Sequence, residues 1–185
     1  MYSKCYLDEL DGDGGLRGIH WTAWVEMYME ANPEAKKNFG YHFYRYDYPL
    51  ESVESDLEWI VHKLETKHTF FYPFGADRHA YLVILTADSF YVYVNGDGPV
   101  PRRAARLYEA LQKTEKKRAF VEIRSPVQRG GMDCIAFTAL MATTWMAGTK
   151  FTEEVAAREI PEFRGKLKKY MLEANAKEVS VSRIE

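Results

Sequence analysis

The chain is short of cysteine, of charge imbalance and of long apolar runs, and each shortage excludes something. Two cysteines in 185 residues, Cys5 and Cys134, make no disulfide framework. The setting expected for them is a reducing, intracellular compartment, cytoplasm or nucleus. Lys and Arg number 25 against 27 Asp and Glu, a formal net charge of −2. No polycationic surface is on hand for nucleic acid or an anionic membrane, and neither is expected as a partner. The longest basic run, Lys116-Lys117-Arg118, reads as a solvated helix end. No apolar run reaches the roughly 18 residues that span a bilayer. The opening MYSKCYLDELDGDGG lacks the apolar stretch of a signal peptide. Repeats and low-complexity linkers are missing too, so one domain over residues 1–185 is expected, with 1–15 a loose N-terminal segment and Asp11–Gly15 a mobile loop. Asp11 and Asp13 alternate as at the start of a calcium loop. The later ligands and the closing Glu are absent, so no metal is expected.

What is there is enough apolar residue for a sizeable core, 46% of the chain. Trp24, Val25, Tyr28 and Met29 recur at helical spacing in a helix that Thr22 opens and Asn32-Pro33 ends. YHFYRYDYP, Tyr41 to Pro49, is aromatic and partly alternating, a strand. In ESVESDLEWIVHKLE, Val53, Leu57, Ile60, Val61 and Leu64 form one apolar helix face. His62 beside that face and His68 past its end read as structural or exposed. HAYLVILTADSFYVYVNGDGP is two apolar runs around a short polar break, a buried β-hairpin that Asn95–Pro99 terminates. A Pro-led helix follows, with Ala104, Leu107, Tyr108 and Leu111 on one face. AFVEI, Ala119 to Ile123, reads as a third core strand. From Cys134 to Ala147 only Thr138, Thr143 and Thr144 are polar, which makes a central buried helix. TKFTEEVAAREI and PEFRGKLKKYMLEA add an outer helix pair with Phe163, Leu167, Tyr170 and Met171 turned inward. The sum is α+β, helices packed on a mostly antiparallel sheet.

One stretch carries chemistry. In VQRGGMDC a Gln and two glycines precede Cys134 at the first turn of that apolar helix. A lone Cys in such a helix is most often plain packing. At the helix start, however, unpaired N–H groups and the macrodipole favour a thiolate, so a thiol pKa below about 8.5 is expected. Gln128 is placed to join the Cys134 N–H as an oxyanion hole. A nucleophilic thiol needs a base. His79, at the mouth of the first hairpin strand, is the candidate. An odd hairpin loop sets residue 79 opposite Asn95 or Asp97, which makes both candidates to orient the imidazole. An even loop leaves neither of them directly opposite.

These residues resemble the ubiquitin-like-protein-specific cysteine proteases, the family of SUMO and adenovirus proteases. The resemblance lies in a His–strand–turn–strand–Asp/Asn unit followed by Gln and, six residues on, Cys, with Asp133 just before it. GIHWTAWVEMYM is similar to the family's first-helix signature, with Thr22 in the N-cap place of its Asp, and the closing KFTEEVAAREIPEFRGKLKKYML resembles the tail of that domain. Residues 16 to 173 are covered. Ala80 and Ile135 stand where the family has Trp and Gly. The resemblance implies a papain-like fold and a thiol hydrolase with a His79–Asn95–Cys134 triad and Gln128 in the oxyanion hole, Asp97 being the alternative orienter. It implies no organic cofactor. The substrate is then a ubiquitin-like protein or a polyprotein, cut after a Gly-containing tail. Trp21, Ala80, Gly130 and Gly131 are the expected substrate-binding positions, and small Ala80 implies a wider channel than the family's Gly-Gly tunnel. Two other outcomes are carried: an acetyltransferase on the same scaffold, and an inactive module that binds a ubiquitin-like protein.

Overall fold

The computed structural model describes residues 1–12, 14–42, 52–76, 79–95, 98–114, 117–126, 128 and 133–181, with the backbone alone for 52–56, 58, 95 and 178–181. Five strands form one mixed sheet: β1 (Phe39–Tyr41), β2 (Thr69–Ala76), β3 (His79–Thr86), β4 (Ser89–Asn95) and β5 (Ala119–Ser125). They lie side by side in chain order. The central β2–β3 and β3–β4 pairs are antiparallel, while β1 and β5 join the two edges in parallel.

Both faces of this sheet are covered, which is why β2, β3 and β4 read as continuous apolar runs rather than alternating ones. On one face Phe71, Ala80, Leu82 and Ile84 pack with residues of α2 (Gly18–Ala31), α6 (Cys134–Met146) and α7 (Glu153–Val181). On the other, Phe70, Tyr72, Phe74, Val83, Leu85, Phe90 and Val92 meet Ile60 of α4 (Ser52–Thr66) and Ala104, Leu107 and Leu111 of α5 (Arg102–Gln112). The short helices α1 (Lys4–Glu9) and α3 (Pro33–Asn38) complete the chain. α6 is the helix closest to the centre. It packs on both α2 and β3, and eight of its residues are buried. Its three threonines close their hydroxyls onto carbonyls three or four residues back. That is how so apolar a helix carries polar side chains without orphaned groups.

The expected hairpin is β3–β4, and its register is the even one. Leu82 pairs with Tyr93, Val83 with Val92, Ile84 with Tyr91 and Leu85 with Phe90. The turn is closed by Thr86, whose Oγ1 accepts from the Ser89 N–H at 3.1 Å. Extended toward the open end, this register sets Ala80, not His79, opposite Asn95. Asp97 lies outside the described residues.

Several expectations are corrected. α2 begins four residues before Thr22, which is buried inside the helix and caps nothing. The cap is built by His20, whose Nδ1 accepts the Arg17 N–H at 2.9 Å. Of the N-terminal segment, expected to be loose, several described residues are fastened to α7. Among those described, α1 lies against α7: Tyr2 N–H donates to Asn175 Oδ1 at 2.6 Å, Asn175 Nδ2 returns to Tyr2 O at 2.9 Å, and Leu10 is buried. The two closing helices are one, since α7 runs through Pro161. A proline costs one backbone bond and a kink, and the stripe of Phe163, Leu167 and Met171 keeps the helix on the core. β5 is an edge strand rather than a core one, with Phe120 38% exposed. Of the strand expected over Tyr41–Pro49, Tyr41 ends β1 and the His42 N–H donates to Phe71 O at 2.9 Å; residues 43–49 lie outside the described residues. The sequence reading passed over β2 altogether. Pro73 sits in its middle, opposite Leu82, and beyond the reach of β1, whose pairing stops at Phe71.

Candidate active site

Three elements converge at the end of the sheet where β3 begins. β3 contributes His79 and Ala80, β4 contributes Tyr93, and α6 contributes Cys134, Phe137, Thr138 and Met141. Together with Ser125 at the end of β5 and Gln128 just beyond it, they line one crevice. Three of the sequence candidates, His79, Gln128 and Cys134, thus meet in one place although 55 residues separate the first from the last. Ala80 is there too.

Cys134 is the first residue of α6 and is half-buried. Its sulfur faces the backbone N–H groups of Ala80, Ile135 and Cys134 itself, which favour a thiolate. Burial outweighs them, and the adjacent Asp133 carboxylate works in the same direction as burial, so the thiol is raised above its usual value. The expectation from the helix start is a low thiol pKa; the N–H groups that favour it are present, and burial acts against them with the larger effect. His79 is moved downward by burial. Burial thus acts against the charged form of both side chains. The His79 ring stands edge-on to Tyr81 at 5.1 Å, and Tyr81 stacks on Phe74 at 5.5 Å, so an aromatic row supports one side of the imidazole. The Tyr93 phenol, also buried, is pushed up to about 12 and stays protonated.

Asn95 pairs in register with Ser125 of β5, which brings its backbone beside the crevice. Ser125 donates its hydroxyl to Val94 O at 3.2 Å. Gly130, Gly131 and Asp97 lie outside the described residues. Trp21 does not reach the site. It is wholly buried in the core, one turn into α2, edge-on to Tyr41 at 6.0 Å, because α2 starts earlier than expected. Ala80, expected to widen the channel, lines the crevice among the described residues. The crevice amounts to about 10 Å³, room for no more than about one water. Tyr93, Phe137 and Met141 close around the space that a small residue at position 80 leaves. Strand alternation was the available signal for Tyr93, since residues 91, 93 and 95 share one face. Helical spacing from Cys134 was the signal for Phe137, Thr138 and Met141, three, four and seven residues on.

No protein-family model and no curated protein sequence matches the chain. Solved structures do. The C-terminal Ulp1 protease domain, crystallised with Smt3, the yeast ortholog of SUMO, superposes with a TM-score of 0.68 over 91% of this chain and 83% of that one, at 13% identity. The catalytic domain of the Chaetomium thermophilum Ulp1-like SUMO protease gives 0.61 over 84% and 72%, at 15% identity. The central domain of an uncharacterised Legionella pneumophila protein gives 0.61 over 86% and 99%, at 9% identity. The chain has the fold of the Ulp1-type SUMO protease domain.

Proposed function

We propose that the chain is a cysteine protease that hydrolyses the peptide or isopeptide bond after the Gly-containing tail of a ubiquitin-like protein. The observation that carries this reading is the meeting of Cys134, His79 and Gln128 in one crevice, on a fold shared with SUMO proteases.

In this reading the Cys134 thiol gives its proton to His79 as its sulfur attacks the carbonyl carbon of the tail. His79 is the general base for this step in the reading, and the thiolate it generates is the nucleophile. The negative charge that develops on the carbonyl oxygen is met by the Cys134 N–H and the Gln128 side-chain amide. His79 then hands the proton to the leaving amine, the C–N bond breaks and a thioester to Cys134 remains. Water, deprotonated by His79, attacks that thioester and releases the carboxylate. Asn95 holds the imidazole from the β4 side; Asp97 is the alternative.

The experiment is a panel of ubiquitin-like proteins, each carrying a thiol-reactive electrophile in place of its last carboxylate. Labelling by one of them that is lost in Cys134→Ala identifies nucleophile and substrate class together. Binding of one without labelling would instead mark an inactive module. Acyl transfer from acyl-CoA without hydrolysis would mark an acetyltransferase.

A further inference from the structure

The start of α6 is fastened to two distant parts of the chain through one side chain. Arg164, in α7, sends Nη1 to the backbone oxygen of Glu9 at 2.9 Å and Nη2 to that of Gly14 at 2.6 Å. The same Nη2 lies 3.7 Å from Oδ1 of Asp133. Asp133 is the N-cap of α6, where its backbone oxygen accepts the Phe137 N–H at 2.9 Å. Its carboxylate makes no cap bond of its own and turns to Arg164 instead. A guanidinium is a rigid fork with five donors, so it can serve three acceptors at once, and lysine cannot reproduce that geometry.

We propose that Arg164 is a positioning residue for Cys134: it holds the first turn of α6 against the N-terminal segment and neutralises the carboxylate that adjoins the thiol. The proposal rests on the reading of Cys134 as the nucleophile. Among the described residues, the charged and titratable groups that bear on the thiol are His79 from β3, Tyr93 from β4 and Asp133 beside it. Arg164 acts on the thiol through Asp133. Around Arg164 stand Glu9, which pairs with Arg17 at 2.6 Å, and His20, 3.9 Å from Glu9. Asp133 is the one anion among these that adjoins the sulfur. Left unpaired, it opposes a second negative charge there.

The test uses the full chain with Cys5→Ser, so that Cys134 is the one thiol. Iodoacetamide alkylation is followed across pH 6 to 10, with a melting curve for each variant. Arg164→Met is expected to move the profile to higher pH and to slow alkylation at pH 7 by about threefold to tenfold, a tenfold change being one pKa unit. Adding Asp133→Asn is expected to restore the profile, because the opposing charge is gone. Arg164→Lys keeps the charge and is expected to retain most of the profile while losing melting temperature. A folded Arg164→Met with an unchanged profile overturns the proposal, as does a double variant that stays shifted. Should Arg164→Met fail to fold, Asp133→Asn alone decides. It must move the profile to lower pH, and an unchanged profile overturns the proposal. The readout needs no substrate. Absence of labelling by every ubiquitin-like probe sinks the protease reading and leaves this one to its own result.

Discussion

Two histidines open neighbouring elements, His20 in the first turn of α2 and His79 at the first residue of β3. Burial pushes both toward the neutral form. Their surroundings differ. The His20 ring is wholly enclosed, and both its nitrogens are engaged by backbone: Nδ1 accepts the Arg17 N–H, so the proton sits on Nε2, which donates to Tyr6 O at 3.0 Å. His79 is half-buried and lines a crevice that also holds a thiol and an amide. A lowered histidine is therefore no mark of a site by itself. What distinguishes His79 is the company of a thiol and an amide at one crevice, and that is why the proposed reading makes it the base.

The comparison breaks first at its largest effect. His79→Ala is expected to lower kcat/KM by about 10²–10⁴-fold, the usual worth of a general base, and to leave the melting temperature nearly unchanged. Cys134→Ala is expected to abolish turnover. Steady-state kinetics on a labelled ubiquitin-like substrate beside thermal melts would check both. If His79→Ala unfolds the chain while the surviving folded fraction turns over normally, the roles assigned to the two histidines are reversed.

His20→Ala should do the opposite. It leaves the part-buried Arg17 N–H and Tyr6 carbonyl without their partner, at roughly 1–2 kcal/mol for each group. Denaturant unfolding is expected to show a loss on the order of 2–4 kcal/mol, with kcat/KM of the folded protein preserved. A His20→Ala chain as stable as the parent would mean that the cap contributes nothing.

How far the sequence foretold this contrast depends on how local the cause is. The hairpin, α4, α5 and α6 were legible because period and composition decide them. The meeting of Cys134, His79 and Gln128 was legible because a spacing of six residues and a strand end carry it. β2 was not, since Pro73 and Gly75 look like a turn until β3 supplies a partner along the whole strand. The start of α2 was missed because His20, rather than Ser, Thr or Asp, supplies the capping acceptor. Trp21 was misplaced as a consequence. The even hairpin register hangs on one hydroxyl, that of Thr86, and it is the register that weakens the simple pairing of His79 with Asn95.

That register makes the orienter the next test. Asn95 carries no charge and steadies an imidazolium less than Asp does, so Asn95→Asp is expected to keep substantial activity. Asn95→Ala is expected to lose about tenfold or more in kcat, with KM nearly constant. Asp97→Ala is the control. If it is the severe variant and Asn95→Ala is mild, the imidazole is held from two residues further along.

The smallest effect is in the pH dependence of stability, and it sharpens the comparison because both histidines contribute with the same sign. Each has a folded pKa below its ordinary 6.5, so below that pH the unfolded chain binds more protons than the folded one. Stability is then complete above about pH 6.5 and declines as pH falls through 6.5 toward the folded values. At His20 the nearby Glu9 carboxylate, 3.9 Å from Nε2, pulls the other way without overcoming burial. His20→Gln keeps an acceptor for the Arg17 N–H and a donor for Tyr6 O but cannot titrate. Melting temperatures from pH 7.5 to 5.5 are expected to fall less steeply in His20→Gln than in the parent, and less steeply again in the double variant with His79→Gln. At His79 the same window bears on catalysis as well. The acid limb of kcat/KM is expected below pH 6.5 in both the parent and His20→Gln, since His20 touches no reacting atom. An acid limb that moves with His20→Gln would show that the cap of α2 and the crevice titrate as one unit, and the separation of the two histidines drawn here would fail.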